Sequence, residues 1–171
     1  MTPFVRNATT DGDWEQATSL MQRVYVGGGY TAAASASDFM TRKNLEPAGQ
    51  LLVAVDDADV VLGAVLLLHP VSALRQLAGA EEREFRLLAV DEKARGKGVG
   101  EQLVQACLDR AFAAGAQAVV LWTQPSMYSA HRLYERMGFR REPECDQEDP
   151  RGFTRLVYVR VRQGGRGFAK A

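Results

Sequence analysis

Residues Glu84 to Gly100 read EFRLLAVDEKARGKGVG, and their order decides the fold. An extended apolar run, Phe85 to Val90, comes first and a polar turn, Asp91 to Ala94, follows it. Then come Arg95, Gly96, Lys97, Gly98, Val99 and Gly100. From Val99 to Phe112, apolar residues fall at 99, 103, 104, 107, 108, 111 and 112, the stripe of an amphipathic helix. The unit is strand, glycine-rich turn, helix. In such a unit the N–H groups of residues 96 to 101 lack intrahelical partners and meet at the positive end of the helix dipole. An anion, most often a phosphate, satisfies them. Glycine at 96, 98 and 100 removes Cβ atoms that would hold a pyrophosphate off the backbone.

Several phosphate loops share this order, and so does a plain turn that merely starts a helix. A Walker loop needs Gly-Lys-Ser/Thr, whereas Gly96-Lys97 is followed by Gly98. A Rossmann fingerprint needs a sixth-position glycine, where Glu101 stands, and an acidic residue after the next strand, which Ala118 to Thr123 does not supply. The pattern Arg/Gln-x-x-Gly-x-Gly/Ala is met by Arg95, Gly98 and Gly100. It resembles the pyrophosphate loop of the GNAT superfamily of N-acetyltransferases, which bind acetyl-CoA.

The 171 residues suit one domain with a real core, and 46% hydrophobic with 25% charged residues is ordinary for a globular chain. Basic and acidic side chains balance at 21 each, which argues against a nucleic-acid partner held by broad electrostatic attraction. Cys107 and Cys145 form no CxxC, and Cys107 lies on the buried stripe of the central helix as a packed thiol. With two histidines and no paired spacing, a metal site is not expected. No 18-residue apolar stretch and no signal pattern is present, so the expectation is a cytoplasmic protein without a membrane partner.

Along the chain, Phe4 to Ala8 reads as an edge strand, and Thr10 caps a helix over Trp14 to Val26 that Gly27-Gly28-Gly29 ends. Tyr30 to Gln50 is weakly patterned, with Ser37-Asp38 as a cap for a short helix through Phe39, Met40 and Leu45. Leu51 to Val55 and Val60 to Leu68 form a hairpin around Asp56-Asp57-Ala58-Asp59. Ala118 to Thr123 is an apolar strand reached from the Phe85 strand by a right-handed parallel crossover. Ser126 caps a further helix stopped by Gly138, and Phe139 to Arg141 and Leu156 to Val161 are the last strands. The acidic segment Glu142 to Gly152 joins these two, and a disordered tail is expected over residues 162–171. This order is α/β: a mixed, mostly antiparallel sheet of six to seven strands with a central parallel β-α-β unit and flanking helices. It is similar to the GNAT fold over about residues 4 to 161, read as one domain spanning 1–161.

The resemblance implies roles for particular residues. The backbone of Leu88, Ala89 and Val90 would pair with the pantetheine arm, and an amide at or beside Val90 would face the thioester oxygen. Residues Arg95, Gly96, Lys97, Gly98, Val99, Gly100 and Glu101 would hold the pyrophosphate, with Arg95 and Lys97 supplying cations unless they are exposed ion-pair partners. LYERMGF resembles the family segment LYxxxGF, whose tyrosine, here Tyr134, points toward the CoA sulfur as a proton donor. Met127 stands where many members carry a pantetheine-binding asparagine, so Ser126 or a backbone group would substitute.

An acceptor amine arrives mostly as an ammonium, with pKa near ~10 for a lysine-like group, so something must take a proton. Glu84 is the candidate base, with Glu82 second, although the charged run Glu81 to Glu84 also reads as solvated surface. Strand alternation puts 84, 86, 88 and 90 on one face unless a bulge intervenes. The activity implied is transfer of acetyl from acetyl-CoA to a primary amine in a ternary complex. Transfer of another acyl group, an inactive acyl-CoA-binding module and a nucleotide-binding regulator stay open at this point. The acceptor is a small-molecule or peptide amine, the segment from Tyr30 to Gln50 is where its specificity would lie, and a homodimer stays open.

Overall fold

The computed structural model describes residues 2–164. In chain order its elements are β1 (Phe4–Asn7), α1 (Asp11–Gly27), α2 (Ala33–Phe39), α3 (Arg42–Leu45), β2 (Gly49–Val55), β3 (Val61–Leu68) and β4 (Glu82–Val90). There follow α4 (Val99–Ala113), β5 (Ala118–Thr123), α5 (Tyr128–Arg136), β6 (Arg140–Arg141), β7 (Gln147–Glu148) and β8 (Thr154–Val161). The strands form one eight-stranded sheet in the order β1-β2-β3-β4-β5-β8-β6, with β7 paired to β8 off this path. All pairings are antiparallel except β4 with β5, the two strands joined through α4. The count exceeds the expected six to seven because of β7, whose two residues are too few to show a period.

Helices cover both faces. On one, Val99, Leu103, Val104, Cys107, Leu108 and Ala111 of α4 pack on Leu52, Ala54, Val65, Leu67, Phe85, Val119 and Leu121. On the other, Trp14, Ala17, Leu20 and Met21 of α1 and Ala36 of α2 pack on Leu51, Val53, Val55, Ala64, Leu66 and Leu68. Each of these leucines, nearly removed from water, stabilises the fold by about 2 kcal/mol. Thr10 starts α1 with a reciprocal cap: its hydroxyl accepts from the Asp13 amide (3.1 Å) and its own amide donates to the Asp13 carboxylate (3.0 Å). Arg6 of β1 grips that carboxylate at 2.7 and 2.9 Å, tying the edge strand to the helix.

Several boundaries differ from the sequence expectation. The helix expected through Phe39 to Leu45 is two, because Met40 leaves the helical region with ψ 67°. Ser37 lies inside α2, its hydroxyl donating to the Ala33 carbonyl (3.2 Å), rather than capping it. Ser126 precedes α5 by two residues, and its carbonyl accepts from the Tyr128 amide (2.9 Å). Arg162, expected in a loose tail, is tied down just past β8: its amide donates to the Gln117 carbonyl and its guanidinium to the Phe112 carbonyl, both at 2.8 Å. Residues 165–171 of that expected tail lie outside the described residues.

Candidate active site

β4 and β5 are paired over three residues only, Glu82 with Ala118, Arg83 with Val119 and Glu84 with Val120. Beyond that point β4 continues beside β3 and β5 beside β8, so the two strands part. The Asp91 amide donates to the Leu62 carbonyl across 2.8 Å, and Gly63 stands opposite Val90. In an antiparallel ladder that arrangement turns the N–H and C=O of Val90 away from β3, into the gap where β5 has left.

A bulge sits just upstream. Ala64 pairs with Ala89 but Leu66 with Arg86, so β4 carries an extra residue, and Leu87 takes φ 62°. The extra residue changes the facing. Leu87 and Ala89 join the core under α1, whereas Leu88 and Val90 pack against the core under α4. Glu84 therefore does not share a face with Leu88 and Val90; the uninterrupted alternation gives way to the bulge.

Two cavities meet at the gap. One, of about 590 Å³, runs from Arg95, Gly96 and Gly98 past Val90 to Ser126 and Tyr128. The other, of about 430 Å³, lies between β4, β5, α2 and the loop before β4. Tyr25, Leu88, Met127 and Ala130 line both, so they are continuous in chemistry as well as in space. The Tyr25 hydroxyl donates to the Leu88 carbonyl (3.2 Å) at this junction.

The glycine turn is built as the sequence requires, for reasons that differ by position. Gly96 and Gly98 have φ of 74° and 79°, a left-handed region that costs other residues about 1–2 kcal/mol. A Cβ at either would meet no protein atom within 4 Å, so the surface they present is bare backbone. Gly100 instead allows close packing: a Cβ there would lie 3.3 Å from Leu133 and 3.6 Å from Val90. The first bond of the α4 ladder runs from the Gln102 amide to the Gly98 carbonyl (3.0 Å). Among the described residues the amides of 96 to 101 donate to no protein group. This loop fits a diphosphate: unpaired donors, no side chain in the way, and a helix N-terminus behind them.

Of the residues expected to bind the cofactor, Leu88, Val90, Arg95, Gly96, Gly98, Val99, Gly100, Glu101 and Ser126 line the larger cavity. Ala89 does not: its side chain is buried on the α1 face and its residue pairs with Ala64. Lys97 is exposed beside the cavity and is not in its wall. Sequence reasoning missed Tyr30, Tyr128 and Arg136, which are in the wall, and Arg136 lies 4.0 Å from Glu101.

Tyr134 lines the smaller cavity, its ring held among Phe85, Phe139 and Tyr158 at centroid distances of 5.6 to 6.0 Å. Burial, helped by Tyr25 and Cys107, raises its phenol well above the ordinary value, so it keeps its proton. Glu84 is 1% exposed and belongs to neither cavity wall. Its Oε2 accepts from the amides of Gln76 and Leu77 (both 3.0 Å) and Ala78 (3.2 Å), fastening the loop before β4. Its Oε1 is buried with no hydrogen-bond partner among the described residues. Glu82, the second candidate, accepts from the Gly79 amide at 2.6 Å.

Two carboxylates of the acidic segment are paired with arginines in or flanking it. Asp146 pairs with Arg141 at 2.8 Å, and buried Asp149 takes Arg151 and Arg155 at 2.9 Å each. Asp149 is held well below the usual carboxylate range chiefly by its hydrogen bond from Arg151.

The family profile described as Acetyltransferase (GNAT) family matches residues 14–139. The chain belongs to the GNAT family of acetyltransferases. Among curated relatives it is 39% identical over 46% of its length to N-acetylaspartate synthetase of Danio rerio, covering 28% of that protein. It is 37% identical over 51% to N-alpha-acetyltransferase 30 of Schizosaccharomyces pombe, covering 55% of it. It is 30% identical over 75% to a mycothiol acetyltransferase of Propionibacterium freudenreichii, covering 40% of it. The chain thus spans between 28% and 55% of the length of these relatives. Among solved structures, a GCN5-related N-acetyltransferase from Kribbella flavida superposes with TM-score 0.67 at 26% identity, covering 94% of this chain and 98% of that one. An acetyltransferase from Streptococcus agalactiae gives 0.71 at 19% identity, covering 94% and 99%, and shows the shared fold. No helix among the described residues is long and apolar enough to cross a membrane.

Proposed function

We propose that this acetyltransferase moves the acetyl group of acetyl-CoA to a primary amine within a ternary complex. The observation that carries the reading is the meeting of two cavities at the free edge of β4: one walled by unpaired glycine-loop amides, the other by Tyr134. The amides of residues 96 to 101 hold the diphosphate, with Arg95 and Arg136 as nearby cations. The backbone of Leu88 and Val90 takes the pantetheine arm in the gap that β5 leaves open. Ser126 and Met127 flank that arm in place of the family asparagine.

Acetyl-CoA supplies a thioester carbonyl. The Val90 N–H, turned into the gap, faces the negative charge that builds on its oxygen. The amine nitrogen bonds to the carbonyl carbon as the carbon–sulfur bond breaks. The ammonium gives one proton to solvent before attack, and as the new bond forms a second leaves nitrogen for water that reaches Glu84 Oε1, the oxygen without a protein partner among the described residues. Tyr134 gives its proton to the departing sulfur and recovers one from solvent. Glu84 meets the amine directly only if the amides of 76 to 78 release it, which is why the path is assigned to water.

The test is thiol release from acetyl-CoA against a panel of amines. Turnover of at least one amine, lowered about 10²-fold or more in kcat by Glu84→Gln, is expected. CoA binding without turnover of any amine would reduce the protein to a binding module.

A further inference from the structure

The smaller cavity has an unusual charge distribution for a site that accepts an ammonium. No aspartate or glutamate stands among its lining residues within the described chain, whereas Arg86 and Arg151 both do. Arg151 is spoken for by Asp149, which it shares with Arg155. Arg86 is different. Its guanidinium lies over the rings of Phe39 and Trp122, 5.6 Å from each centroid. Trp122 is itself fixed, its indole N–H donating to Gln76 Oε1 across 2.6 Å. Among the described residues the one acceptor of Arg86 is the Leu74 carbonyl at 3.5 Å, a long contact. Glu84, two residues away on β4, attracts Arg86 but spends Oε2 on the loop amides and makes no ion pair with it. A half-buried guanidinium set against two rings, with most of its donors free among the described residues, is a fork prepared for a planar anion.

The geometry points to an acceptor that carries its own carboxylate: a free amino acid, bound through that carboxylate by Arg86 with its amine directed at the β4 edge. This rests on the acetyl-transfer reading and narrows its substrate. Arg86 and Leu88 line the same cavity, so amine and carboxylate belong to one small molecule. The cavity of about 430 Å³ suits that size. The same guanidinium opposes polyamines and other polycations, which bring positive charge to a site with no carboxylate in its wall.

The experiment compares acids with their amides: glycine with glycinamide, aspartate with asparagine, and β-alanine with its amide. Thiol release from acetyl-CoA is measured for the unaltered protein, Arg86→Gln and Arg86→Lys. A melting-temperature arm tests each N-acetylated acid and amide in the presence of CoA. Expected is a kcat/KM preference for acid over amide of about thirtyfold or more. Arg86→Gln brings it to within threefold and Arg86→Lys to an intermediate value, while CoA alone still raises the melting temperature of both variants. Amides turned over as well as acids, or a preference that survives Arg86→Gln, would overturn the inference and leave acetyl transfer standing. If no amine is turned over, the melting arm decides. Acid-specific stabilisation that Arg86→Gln abolishes keeps the carboxylate site and discards acetyl transfer; no difference between acid and amide discards both.

Discussion

The hydroxyl of Tyr25 donates to the carbonyl of Leu88 across 3.2 Å, at the point where the two cavities join. A helix on one side of the sheet is thereby bonded to the strand edge proposed to carry the chemistry. Burial raises the Tyr25 phenol above its ordinary value, so the donor persists through the working pH range. Tyr25→Phe keeps the edge-to-face contact with Tyr30 and deletes only the bond. The expected loss is about 1 kcal/mol, a fall of roughly 2–4 °C in Tm, read by thermal denaturation. An unchanged Tm would show that this bond does not hold the junction.

Gly98 and Gly100 make opposite demands on the same turn. Gly98→Ala forces a methyl-bearing residue to φ 79° in otherwise open space, so it strains the loop without a clash. CoA affinity is expected to fall about tenfold, the equivalent of the ~1–2 kcal/mol conformational penalty. Gly100→Ala meets the flexible end of Leu133 at 3.3 Å, which yields by a few tenths of an ångström. Its effect on CoA affinity is expected to be smaller. Calorimetric titration of both variants with CoA gives the order, and the reverse order contradicts the account.

Tyr134→Phe removes the phenolic proton from a ring already buried among Phe85, Phe139 and Tyr158. The packing survives, so CoA binding is expected within about threefold, while kcat falls about 10²-fold. The raised pKa keeps the acid form protonated as pH climbs, so activity is expected to show no alkaline loss through the usual phenol range near ~10 that Tyr134→Phe abolishes. The pH dependence of kcat for both proteins checks this.

Asp149, 2% exposed at its side chain, links Arg151 and Arg155 and closes the acidic segment over the sheet. Its carboxylate is depressed in the fold, so its contribution is full above the unfolded value of about 4 and fades as pH falls through the folded value. Asp149→Asn is expected to lower stability at pH 7 by about 2–4 kcal/mol and to flatten the acid side of the stability curve. Denaturant melts from neutral to acid pH read both effects; a parallel shift with the acid slope intact would contradict it.

The fold and the cofactor side of the site are written in local pattern. Gly96 and Gly98 announce bare backbone before a helix, and the apolar runs around them announce a crossover between adjacent strands. Glu84 and Ala89 were harder, because one extra residue near Leu87 reverses which side chains share a face, and no residue type marks a bulge there. The smaller cavity draws on α1, α2, β4, β5, α5 and the loop before β4, so its wall exists only once distant segments meet. One signal was available: Arg86 is the sole charge inside the run Phe85 to Val90, and a cation in a strand core asks for a reason. The pairing of Asp146 and Asp149 with Arg141, Arg151 and Arg155 had no such mark, since those arginines could equally have faced water.

The central claim is that unpaired amides in the glycine turn hold the diphosphate of coenzyme A. It is tested most directly by following backbone amide resonances while the protein is titrated with CoA and, separately, with pantetheine, which lacks the diphosphate. The account predicts that Gly96, Gly98, Gly100 and Glu101 shift with CoA and stay in place with pantetheine, whereas Leu88 and Val90 respond to both. Saturating CoA binding with residues 96 to 101 unmoved would contradict it.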